Sequence, residues 1–168
     1  MKNYLCILAA AALLASCDKT TDTADTASPS APVNENITTT ENMPVVVTTE
    51  ANGTFSVDAR SDAGASFENK DDTESRLAFA AKGLWSFAPA GGLLGPSGAD
   101  APAANTFLLP GAHSFALVAK RGDGTVVYIG DRAELTLKPH EIIFFLMNDI
   151  KGGASDNRGS LKVTWTRK

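Results

Sequence analysis

The sequence predicts an all-β fold, a sandwich of two antiparallel sheets. Three observations carry this. Short apolar or alternating segments recur along the chain between residues 45 and 165. Turn signals separate them, among them Gly122-Asp123-Gly124, Lys138-Pro139 and Gly152-Gly153. No stretch sustains a helical period.

The predicted strands cover 45–49, 54–59, 77–82, 114–120, 125–129, 134–137, 142–147 and 160–165. Leu161-Lys162-Val163-Thr164-Trp165 alternates as a half-buried strand should. Asp123-Gly124, between two strand segments, reads as a hairpin turn rather than as part of an adhesion tripeptide with Arg121 and Gly122. Trp85 reads as a core residue in preference to a sugar-stacking surface. The segment 89–110 is long for a connection in a compact domain, and loops of that length are usually functional or structureless. Residues 44–168 suffice for one domain of ordinary size.

Ahead of that domain the sequence reads as an export signal and a tether. Lys2 precedes an apolar run over 4–14, too short to span a bilayer permanently. Leu14-Ala15-Ser16-Cys17 then resembles the bacterial lipobox, which implies cleavage after residue 16 and acylation of Cys17. Several acyl chains on one residue give lasting attachment, because each buried methylene contributes about 0.8 kcal/mol. Cys6 would leave with the signal, so no thiol would remain for a disulfide. Asp18 resembles the enteric signal for retention on the inner membrane, a rule that varies among bacteria, so the inner and outer membranes both stay open. Residues 17–43 are rich in Thr, Asp, Ala, Ser and Pro and are expected to stay disordered.

The formal net charge is −4, and no basic stripe with interleaved aromatics appears, which argues against nucleic acid as a partner. Enzymatic chemistry finds little support. His113 and His140 are the only histidines, and there is no Gly-x-Ser-x-Gly elbow. Glu68, Asp71, Asp72 and Glu74 read as a solvated polar stretch rather than as a facing carboxylate pair. The reading is therefore of a non-enzymatic protein.

Asn148-Asp149 followed by Asp156-Asn157 and Gly159-Ser160 concentrates oxygen-bearing side chains in one inter-strand loop. Asp149, Asp156 and Asn157 are the hard oxygen donors that calcium takes, usually six to eight per ion. A plain solvated Asp/Asn/Gly turn fits the same residues. An EF-hand does not. Counted from Asp149, the third, fifth and twelfth residues are Lys151, Gly153 and Ser160, where an EF-hand needs oxygen ligands and finally a Glu.

Gly83-Leu84-Trp85, Gly95-Pro96-Ser97-Gly98, Ala116-Leu117-Val118-Ala119-Lys120, Ile129-Gly130 and the Asn148–Ser160 loop follow one another in an order and spacing that resembles a known family. It is the LecA-like family, typified by the calcium-dependent galactophilic lectin of Pseudomonas, and the resemblance spans roughly residues 55–165. It implies a jelly-roll-like sandwich with one calcium at its edge that bridges to two sugar hydroxyls. Carried over, the metal ligands would be the side chains of Asp149, Asp156 and Asn157 and the carbonyls of Gly153 and Ala88. A glycan or galactoside-like saccharide would meet Asp149, Ile150, Asp156 and Asn157, with Pro102 and Asn105 from the second loop. A homo-oligomer is an open expectation for the partner, alongside the glycan and the membrane.

The chain departs from the lectin at several of these positions. Asp156 stands where the lectin has Asn, which adds a carboxylate. Ala88 stands where it has an aromatic. Pro102, Ala103 and Asn105 stand where it has a His-Pro pair and a Gln, so galactose itself is expected to bind poorly. The leading expectation is a membrane-anchored, calcium-dependent carbohydrate-binding lipoprotein. The alternative is an envelope subunit that keeps the sandwich and binds no sugar.

Overall fold

A computed structural model describes residues 46–47 and 51–168. The export signal, Cys17 and the 17–43 tether lie outside the described residues. Nine strands follow in order: β1 (Val46–Val47), β2 (Asn52–Asp58), β3 (Ala65–Glu68), β4 (Ser75–Ser86), β5 (Leu117–Arg121), β6 (Val126–Tyr128), β7 (Arg132–Leu137), β8 (Ile142–Met147) and β9 (Arg158–Arg167). One 3-10 turn, Ala154–Asp156, lies between β8 and β9.

The strands form two sheets. One runs β1-β3-β8-β5-β6 and the other β2-β9-β4-β7. All pairings are antiparallel except that of β1 with β3, a two-residue parallel edge. The expected all-β sandwich is therefore present.

The period-2 pattern explains the core. In β9, Leu161, Val163 and Trp165 are buried while Lys162, Thr164 and Thr166 are exposed. Aromatic rings from both sheets meet between them. Phe67 on β3 lies edge-to-face against Phe79 on β4 at 5.1 Å and Trp165 at 5.5 Å. Phe145 on β8 meets Phe55 on β2 at 5.1 Å. Such pairs contribute about 0.5–1.5 kcal/mol each beyond the area they bury. Gly53 leaves the room that the Trp165 indole needs, because a Cβ there would sit 2.8 Å from its Nε1.

Two features differ from the expected strands. β3 was not anticipated. Its four residues are almost uniformly buried and show no alternation. β4 runs to Ser86, past the expected end at 82, and stays paired with β9 throughout. Its extension depends on Gly159, which has φ +87° and whose Cβ would fall 2.7 Å from the Leu84 carbonyl. This close approach keeps Ser86 opposite Arg158 and so brings the end of β4 beside the Asn148–Ser160 loop.

The hairpin joining β5 to β6 turns at Asp123-Gly124, as the sequence suggests. Gly124 N–H donates to the Arg121 carbonyl at 3.0 Å, and Thr125 N–H donates to Asp123 Oδ1 at 2.8 Å. The polar stretch after β3 is more structured than expected. Asp71 accepts from the Ser75 hydroxyl and pairs with Arg167 at 2.6 Å.

Candidate functional site

The site is built where β8 gives way to its loop. Asn148 is fully buried there and fastens the long second loop to the strand end. Its Oδ1 accepts the Leu109 N–H at 2.8 Å. Its Nδ2 donates to the carbonyls of Leu109 at 3.1 Å and His113 at 3.0 Å. The main chain adds two further ties. Leu108 N–H donates to the Asp149 carbonyl at 3.0 Å, and Phe107 bridges to Ile150. The long 89–110 segment is thus pinned alongside the candidate metal loop. Sequence reasoning gave Asn148 no role, because its partners lie 35 and 39 residues away.

Asp149 is buried apart from a small fraction of its surface. Its Oδ1 accepts its neighbour Ile150 N–H at 2.7 Å. Its Oδ2 accepts from Asn157 Nδ2 at 3.0 Å. Asn157 is only 1 % exposed. The same Nδ2 also donates to the Ala59 carbonyl at 3.1 Å. Two acceptors on one side fix the orientation of the amide. Asn157 Oδ1 is then a buried acceptor without a hydrogen-bond partner. Leaving such an atom unpaired costs about 1–3 kcal/mol.

The loop closes on itself between these residues. Gly153 N–H donates to the Ile150 carbonyl at 3.0 Å, and Asn157 N–H to that of Ala154 at 3.1 Å. Gly153 packs so closely that a Cβ would meet Ile150 Cγ1 at 2.7 Å and lie 3.4 Å from Asp149 Oδ1. Asp156 is exposed on the 3-10 turn. The β2–β3 connection supports the loop from outside, with Gly152 N–H donating to Asp62 and Arg60 to the Ser155 carbonyl.

The other sequence-derived candidates lie as follows. Ala88 sits just past Ser86, close to the loop in the strand register. Its carbonyl, however, accepts from the Ser86 hydroxyl at 2.7 Å and from Gly91 N–H at 3.0 Å. Both lone pairs are spent within its own turn, so this carbonyl is not free to ligate as arranged. An aromatic does stand here, one residue earlier. Phe87 stacks on Phe115 with centroids 4.3 Å apart and planes 12° from parallel. Pro102 is exposed and bridges to His113, and Asn105 is exposed in a turn two residues before Phe107. Trp85 is fully buried and donates from Nε1 to the Phe115 carbonyl at 3.0 Å.

Among the described residues, no three His, Cys, Asp or Glu side chains converge as a metal cluster. A cation at this loop would therefore rest on amide and carbonyl oxygens beside the carboxylates of Asp149 and Asp156. That donor set is the all-oxygen kind that suits calcium, and the buried, unpartnered Asn157 oxygen fits such an ion.

Ser97, His113 and Asp131 also come together, but not as a nucleophile and its base. The Ser97 hydroxyl donates to Asp131, while His113 Nδ1 faces the Ser97 carbonyl at 3.1 Å. His140 is exposed and lies 3.1 Å from Asp72.

The architecture matches a solved lectin domain. It superposes on the N-terminal domain of EclA, described as a PllA-like lectin, with a TM-score of 0.52, over 68% of this chain and 95% of that domain. Identity over the match is 19%, so the likeness establishes the fold. No family profile and no curated protein matches the chain.

Proposed function

We propose that this domain binds carbohydrate through a calcium ion held by the Asn148–Ser160 loop. One observation carries the reading: Asn157 Oδ1 is buried and unpartnered, beside a carboxylate that the same side chain helps to orient. Asp149, Asn157 and the more exposed Asp156 would supply side-chain oxygens, with Gly153 offering its carbonyl. When bound, the ion would supply a Lewis-acidic centre able to take sugar hydroxyls in place of water.

The protein's own groups set the rest of the site. Asn148 holds the second loop against the metal loop, and the Phe107–Ile150 bridge supports a reading in which Ile150, Asn105 and Pro102 would meet the sugar together. Asp156 is an acceptor only, where an amide would also donate. Because Pro102, Ala103 and Asn105 replace the lectin's His-Pro pair and Gln, and Asn105 donates over a shorter reach, galactose itself should bind weakly, and avid binding would need several copies on one surface. Cys17 would place those copies on a cell-envelope membrane through a lipid anchor.

The lectin fold of the EclA domain supports a saccharide as the ligand class. The test is a glycan array probed with the purified protein in calcium and again in chelator. Chelator-sensitive binding that Asp149→Ala abolishes is the expected result. The absence of any such glycan would leave the sandwich as an envelope interaction subunit.

A further inference from the structure

A groove that adjoins the candidate metal loop, sharing Asp149 and Ile150 with it, has the features of a further ligand site. β8 breaks the alternation expected of a sandwich strand. Ile143, Phe145 and Met147 enter the core, so Ile142, Phe144 and Leu146 face the other way. Outer faces of antiparallel sheets are ordinarily polar, yet this one carries three large apolar residues in a row.

A groove of about 530 Å3 lies over Phe144 and Leu146. Clefts of roughly 300–1,000 Å3 are the usual size for small-molecule sites. The β2–β3 connection, the start of the β5–β6 hairpin and the 149–152 segment wall it, and Leu108 adds to the apolar lining.

Three cations and two acids line the groove. Asp62 already accepts the Gly152 N–H, and Asp149 accepts from Ile150 and Asn157. Arg121 is held by Glu141 at 2.5 Å and by the Thr136 carbonyl at 3.1 Å. Lys120 and Lys151 line the same groove, and neither has an ion pair among the described residues. Lys120 sits directly opposite Phe144 in the β5–β8 register, on the same face of the sheet. Asp62, although exposed, and Asp149 each accept a main-chain N–H of the 150–152 wall, while Lys120 and Lys151 border an apolar floor.

We propose that this groove binds a small anionic amphiphile: an aryl or short acyl body lying on Phe144 and Leu146, with a carboxylate, sulfonate or phosphate at Lys120. The site makes no use of Asn157, and although Asp149 of the metal loop lines it, its contacts to the ligand are those of Lys120, Phe144 and Leu146, which can be tested without calcium.

The experiment titrates 1-anilinonaphthalene-8-sulfonate into the purified protein in chelator and follows its fluorescence. Saturable one-site binding is expected. Lys120→Glu, an exposed change, should weaken it about three- to fivefold or more, the worth of one solvent-exposed ion pair or its reversal. The uncharged N-phenyl-1-naphthylamine should bind the parent more weakly and be insensitive to Lys120→Glu. Phe144→Ala should weaken both probes, with the melting temperature measured alongside to show that the variant is folded. Binding that does not saturate, or equal affinity of the sulfonate for the parent and Lys120→Glu, would overturn the proposal.

Discussion

Asn157 and Asp149 form a buried pair in which the amide donates to the carboxylate at 3.0 Å while its own oxygen has no hydrogen-bond partner. The arrangement is inefficient for a protein without a ligand, because the stranded oxygen gives up hydration for nothing. It becomes economical when a cation meets that oxygen. Asn157→Asp should therefore behave differently with and without calcium. In chelator, two carboxylates would face each other in a buried site, and the melting temperature should drop by several degrees. Calcium should restore much of that loss and produce a larger stabilisation than in the parent. Differential scanning calorimetry in the two buffers checks this.

Asn148 carries the second loop. Asn148→Ala removes three hydrogen bonds to two residues and leaves the Leu109 N–H and the Leu109 and His113 carbonyls seeking partners. A loss of about 2–4 kcal/mol in unfolding free energy is expected. Amide exchange should accelerate first at Leu109, whose N–H bonds directly to this side chain. Unchanged exchange there would show that the loop is held by other means.

Gly159 sets how near β4 and β9 approach beside the site. Gly159→Ala would place a Cβ 2.7 Å from the Leu84 carbonyl in a residue with φ +87°. The strain of such a residue is of order 1–3 kcal/mol. Denaturant unfolding should report that loss, and calcium affinity should fall with it because Asn157 lies two residues away. Gly92→Ala, with nothing within 4 Å of the added atom, is the matched control and should leave both nearly unchanged.

Much of the fold was legible because it rests on period-2 patterning, as at Leu161, Val163 and Trp165. The strand β3 was not, since Ala65–Glu68 is short and shows no alternation. The end of β4 was hidden by Gly83, which reads locally as a break and is tolerated only because β9 pairs across it. At the site, residue chemistry pointed to Asp149 and Asn157, and the structure brings them into contact. The role of Asn148 could not be read, because its partners come from a loop whose position only the folded chain defines. The availability of Ala88 could not be read either, because the bonds that occupy its carbonyl belong to the geometry of one turn.

The β5–β6 hairpin makes a prediction about pH. Asp123 is held below the ordinary carboxylate value, chiefly by the backbone N–H of Thr125 and then by its hydroxyl, with smaller help from Arg121 and Lys138. A depressed value in the folded state means that the turn gains from the ionised group above the unfolded value. That gain disappears as pH falls through the folded value. Carboxyl-carbon NMR should show Asp123 titrating below an unstructured Asp, and Thr125→Ala should move it only partway back, since the backbone donor remains.

The proposed attachment to a membrane would rest on Cys17. Cys17→Ser should leave an unprocessed precursor or release the protein into the soluble fraction. Fractionation with immunoblotting reads both outcomes. A processed, membrane-bound Cys17→Ser protein would remove the lipid anchor from this account.

The most direct measurement is a calorimetric titration of calcium into chelator-stripped protein, paired with the melting temperature before and after. One saturable site is expected, with a rise in melting temperature that grows with calcium concentration, as mass action requires of an ion bound only by the folded state. Asp149→Ala should abolish both signals. No binding heat and an unchanged melting temperature in millimolar calcium would contradict the proposal that this loop holds the ion.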